Sequence, residues 1–203
     1  MFRKISERVA GMLIANDIAT DENREAYIYG LELLIPQILF YIGLLVISLF
    51  TKTLLLSFLF VLTYKVLRQY TGGFHCKSAE ACLVVSVLIY LILLLLFNFH
   101  SVIVDMLLIT ASITASVILF RFSPVEDKNK PLDDIEKIKY HRLSVIVTIL
   151  AIFLIIISFF LNLRKIFYAV AWSLSADAVL ILFTKRRRLN DEKDDFENSS
   201  SNG

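Results

Sequence analysis

The chain is poor in the residues that staple a fold or ligate a metal. Its 203 residues include two cysteines, Cys76 and Cys82, and three histidines. Two cysteines, with no cleavable signal peptide expected, do not make a disulfide framework. The six-residue interval between them rises ~9 Å if helical, too far for a bridge. Free thiols facing a reducing cytosol are the expectation. No CxxC or HxxxH spacing occurs, so metal ligation by His75, Cys76, Cys82 and Glu80 has no motif behind it, and no cofactor is expected. A net charge of only +2 argues against a nucleic-acid partner. No internal repeat is evident, which weighs against a transporter built from repeated halves.

Apolar residues are what the chain has in excess. They make up 57% of it, with a mean hydropathy of +0.70, against about 45–50% in soluble domains. The reading is an all-α, polytopic integral membrane protein whose partner is the lipid bilayer. Spans of about 20 residues each consume most of the length, so residues 1–190 form a single integral domain. Six transmembrane helices are expected, over about 33–50, 53–67, 79–97, 102–120, 143–161 and 164–183. The second is short, so either its Lys65 snorkels or the helix starts again after the glycines.

Residues 1–25 form an inner-face segment in which Phe2, Ile5, Val9, Met12 and Leu13 fall at helical spacing, with Arg3, Lys4 and Arg8 on the remaining surface. That pattern suits an amphipathic helix in the headgroup region or a packed terminal helix. With both termini inside, the cytoplasmic segments hold 18 Lys and Arg against 3 outside, Lys52, Arg164 and Lys165. The expected location is therefore a cell membrane, multi-pass, with both termini cytoplasmic. The hydrophilic segment 121–142 reads as a cytoplasmic loop, and the acidic, Ser/Asn-rich tail 191–203 as disordered.

Between the second and third spans runs Arg68-Gln69-Tyr70-Thr71-Gly72-Gly73-Phe74-His75-Cys76-Lys77-Ser78-Ala79-Glu80-Ala81-Cys82. A polar interruption at membrane depth is costly and calls for a reason. Gly72-Gly73 permits a helix to end or reverse, and Ser78 suits the N-cap of the third span with Glu80 in its first turn. Cys82 then lies near a helix N-terminus, whose positive dipole end favours a thiolate. His75, seven residues earlier, would be ~10.5 Å away on a continuous helix. A working Cys-His pair therefore requires a helix break at the active site, with His75 as base and then as acid toward the leaving amine. Backbone N–H groups at Ser78, assisted by Arg68 or Gln69, are candidates to hold an oxyanion. Glu80 either orients His75 or serves only as a favourable first-turn acid. Spacing alone leaves blander readings open: an interfacial histidine, and a cysteine packed as a small hydrophobe.

Together with Cys82 at the start of an apolar helix, the run Arg68 to His75 resembles the core motif of the accessory gene regulator protein B (AgrB) family. Ser123-Pro124-Val125-Glu126-Asp127-Lys128-Asn129-Lys130-Pro131 resembles that family's inner loop. Length and layout agree across nearly the whole chain. The resemblance implies a membrane cysteine endopeptidase of quorum sensing, unlike soluble papain-type enzymes in fold. Such an enzyme removes the C-terminal tail of an AgrD-like propeptide and cyclises the rest to a thiolactone or lactone. By position, His75 and Cys82 match the catalytic pair, and Arg68, Gly72 and Gly73 the supporting residues. Cys76 stands at a variable position. A homodimer is implied as well.

Lys128, Lys130 and Asp177 are candidate substrate contacts. For Asp177, deep in a predicted span, bonding between helices is the simpler alternative; for Asp105, near the outer edge of its span, reaching water is. The rival functions are a transporter using those two acids and a non-catalytic scaffold recruiting a partner through the basic loop.

Overall fold

A computed structural model describes residues 2–16, 18–72, 79–125 and 133–201. Among the described residues there are seven α-helices and no extended strand: α1 Phe2–Ala15, α2 Arg24–Phe50, α3 Leu54–Thr71, α4 Ala79–Asn98, α5 Val102–Phe122, α6 Asp134–Phe160 and α7 Arg164–Ser201. A single turn of 3-10 helix, Asp21–Asn23, precedes α2. Contacts gather the chain into two compact units, Met1–Leu54 with His75–Ile92, and Leu55–Phe74 with Leu93–Gly203.

Among the described residues, five segments are long and apolar enough to cross a membrane: Asp21–Phe50, Glu80–Asn98, Val102–Phe122, Ile135–Phe160 and Arg164–Arg187. The protein is a multi-pass membrane protein. The second of the six expected spans is helical as α3 but is not among the five. Its 18 residues would reach ~27 Å, and Lys65, Arg68 and Gln69 make its last two turns polar.

In the first unit α1 packs on α2. The buried stripe of α1 is Phe2, Ser6 and Ala10, spaced four apart. Ile5 and Met12, expected on that apolar face, are exposed. Small residues at Ser6 and Ala10 let the two backbones approach. Arg3 pairs with Glu7 of its own helix at 3.3 Å and with Glu25 of α2 at 3.8 Å. Helix α2 buries Ile28, Pro36, Leu44 and Ser48 and exposes Leu34, Ile38, Ile42, Leu45 and Leu49, a surface suited to hydrocarbon. Lys52, at φ 57°, ends it. Thr53 N donates to Ser48 O at 2.9 Å and Lys52 N to Leu49 O at 3.3 Å, a Schellman closure.

In the second unit α7 is the central helix. Of its apolar window 72% is buried, against 17–28% in the other four spans. Nearly every residue from Phe167 to Ile181 is inside, as befits a helix surrounded by others. The cause lies in its small residues, Ala169, Ala171, Ser173, Ser175, Ala176 and Ala178, which let α5 and α6 pack close. Its serines cost little there. Ser173 Oγ donates to Ala169 O at 2.7 Å and Ser175 Oγ to Ala171 O at 2.8 Å, so each hydroxyl is satisfied within its own helix. The α6–α7 turn repeats the Schellman closure: Asn162 has φ 55°, and Leu163 N donates to Ser158 O at 2.8 Å. Helix α6 begins at Asp134, so the latter part of the predicted loop 121–142 is helical. The helical backbone of α7 runs on to Ser201, into the segment that composition alone reads as disordered.

Candidate active site

The sequence motif is divided between the two units. Arg68, Gln69 and Thr71 lie in the last turns of α3, and Gly72 follows them. Glu80 and Cys82 stand in the first turn of α4. Gly73, His75, Cys76 and Ser78 lie outside the described residues, as do Lys128 and Lys130.

Helix α3 stops where the glycine pair begins. Gly72 has φ +100°, a conformation that side chains with a Cβ rarely adopt. It forms a parallel bridge with Val125. A Cβ at this point would strike the Val125 carbonyl oxygen and lie 2.6 Å from its nitrogen. Glycine is therefore required twice over, by torsion and by space. The two sequence motifs, about fifty residues apart, meet here: Val125 N donates to Thr71 O at 3.0 Å, and Ser123 Oγ to the same carbonyl at 3.2 Å.

Thr71 is the hub of a buried polar network. Its hydroxyl lies 2.7 Å from Asp177 Oδ2 on α7 and 3.0 Å from Leu67 O. Ser123 Oγ is 2.6 Å from Ser144 Oγ on α6. His141 Nδ1 is 2.6 Å from Ser123 O; since a carbonyl only accepts, Nδ1 carries the proton. Arg68 Nη1 donates to Tyr64 OH at 3.0 Å, with the guanidinium 5.6 Å from that ring's centroid. Sequence reasoning assigned no role to Thr71, Ser123, His141 or Ser144. The available signal was that Thr71 directly precedes the glycine pair and that Ser123 opens the second motif.

Cys82 is a free thiol, partly exposed, in the first turn of an apolar helix. Its carbonyl accepts from Ser86 Oγ at 2.9 Å.

The sequence model of one family, Accessory gene regulator B, matches residues 6–183. The chain belongs to the AgrB family. It is 28% identical over 188 residues to a protein named AgrB-like protein 2 in Clostridium perfringens strain 13 (type A), covering 89% of this chain and 85% of that one. An AgrB-like protein of Clostridium perfringens strain SM101 is also 28% identical, over 186 residues, with 87% and 81% covered. One from Listeria monocytogenes serotype 4a strain HCC23 shares 28% over 132 residues, 63% of each chain. No solved structure matches. The AgrB match takes in both motifs and every member of the Thr71 network.

Proposed function

We propose that this AgrB-family protein is a membrane-embedded cysteine endopeptidase of quorum sensing. It removes the C-terminal tail of an AgrD-like propeptide and promotes cyclisation of the remainder to a thiolactone or lactone. The observation that carries the reading is family membership over residues 6–183, with His75 and Cys82 standing at the catalytic positions of the motif. The partly exposed Cys82 thiol at the start of α4 supports it, since a helix N-terminus favours an anion. Both termini and the site face the cytoplasm on this reading, where a newly made peptide arrives, and the working unit is a homodimer.

The Cys82 thiolate attacks the carbonyl carbon of the bond before the tail. His75 takes the thiol proton and delivers it to the leaving amine as the C–N bond breaks, so the tail departs and a thioester remains on Cys82. A cysteine thiol of the bound peptide then attacks that thioester, forming the ring and returning the proton to Cys82. One thioester replaces another in this second step, which is nearly balanced in energy. Loss of the tail or export of the product draws the sequence forward. Water would hydrolyse the acyl-enzyme to a linear peptide, and the apolar surroundings of α4 limit its access.

Asp105 and Asp177, on which a transporter reading leans, each have a hydrogen-bonding partner inside the second unit, Tyr168 and Thr71. Co-expression with a propeptide carrying an amphipathic leader, a central cysteine and an acidic tail tests the proposal by peptide mass. Cys82→Ser and His75→Ala should each reduce processing by about 10³-fold or more, and Cys76→Ser should leave it near wild type. Processing that survives Cys82→Ser overturns the assignment, and an unchanged peptide mass with every variant points to transport.

A further inference from the structure

We propose that Asp177, acting through Thr71, is a positioning residue: a buried latch that fixes the end of α3 and so the point from which the chain sets out toward His75. The inference rests on the peptidase reading above and deepens it. Asp177 is 1% exposed, within the most buried helix, and a carboxylate in such a place is costly unless held. Its holder is a residue 106 positions away, the last of α3. Three residues separate that threonine from His75.

Thr71 is engaged from both sides. Its hydroxyl faces Asp177, and its carbonyl takes Val125 N and Ser123 Oγ. The left-handed Gly72 follows at once, against Val125. Side chain and main chain of one residue thus tie together α3, α7 and the second motif. If stability were the only concern, an apolar pair of similar shape would serve as well or better at lower cost. A carboxylate is suited instead to holding one hydroxyl in one direction, which is what a chain leading to a catalytic base requires. Asp177 is then a support beneath the motif and not a contact for the substrate.

The test uses the purified full-length chain in lipid vesicles and a synthetic propeptide with a central cysteine and an acidic tail. Thr71→Val and Asp177→Leu should each lower kcat by about 10²-fold, the scale of a misplacement of roughly 1 Å, with KM within about twofold of wild type. Thr71→Ser and Asp177→Asn preserve a hydroxyl and a side-chain oxygen, and should stay within about threefold. The double variant Thr71→Val/Asp177→Leu should regain the thermal stability lost by the single ones yet remain about 10²-fold slow. Hydrogen exchange at the Val125 amide, whose acceptor is Thr71 O, should speed up in the single variants.

A rise in KM at unchanged kcat would make Asp177 a substrate contact and overturn the latch. Recovery of activity together with stability in the double variant would make the pair merely structural and also overturn it. If wild type fails to process the peptide, or Cys82→Ser still does, the peptidase reading falls. In that case exchange at Val125 still decides the latch, and no change with Asp177→Leu overturns it.

Discussion

The two ends of the second unit each hold an acid, under different terms. Asp105 lies in the first turn of α5, where a negative charge suits the helix dipole. It is partly exposed and accepts from Tyr168 OH at 2.5 Å. The exposed pair of Arg164 Nη1 and His100 Nε2, 2.9 Å apart, lies at the same end, with Arg164 on the first turn of the helix that carries Tyr168. Asp177 sits thirteen residues into α7, ~20 Å from its start, with neither a helix terminus nor water to offset its charge. Its hydrogen-bonding partner is Thr71. An acid at a wet helix start needs no function to explain it. An acid at full burial, bonded to the residue before the glycine pair, does.

Three measurements test that contrast. The largest effect is expected at Gly72. Gly72→Ala forces a side chain into φ +100° and against the Val125 backbone. It should cost about 1–3 kcal/mol of stability for the torsion alone, read by thermal unfolding in detergent, and more than tenfold in processing. A variant that keeps wild-type activity would show that the meeting of the two motifs is not needed for the chemistry. At the other end, Tyr168→Phe removes the bond to Asp105 while keeping the ring stacked edge-on with Phe97 at 5.7 Å. About 0.5–1.5 kcal/mol of stability should be lost with processing unchanged. A loss of activity as large as that from Asp177→Leu would erase the distinction between the ends. The smallest effect should come from Arg164→Ala, which breaks an exposed contact and should move stability by no more than about 0.5 kcal/mol.

Much of the fold was legible because membrane helices announce themselves locally. Runs of leucine, isoleucine and valine located α2, α4, α5, α6 and α7, and the glycine pair located the end of α3. What was not legible is the environment of a side chain that depends on its neighbours. Periodicity marks Ile5 and Met12 as the apolar face of α1 without showing that Ser6 and Ala10 are buried, because close packing on α2 selects small residues over large. Helix α3 was expected as the second of six spans, and nothing in its sequence shows that the end of its polar final turns carries the Thr71 network. At the candidate site the helix end at Gly72 was readable from the glycine pair, and Asp177 was noticed as an anomaly. Its partner was not readable.

By itself the sequence determined the class of the protein, its helices and the family to which it belongs, since hydropathy and the order of motif residues are properties of the chain read locally. Tertiary structure alone decided that α7 lies at the centre of the second unit. It alone also decided that Thr71 meets Ser123 across 52 residues and Asp177 across 106. Those contacts depend on which helices pack together and how closely, and small residues set that distance without naming the partner.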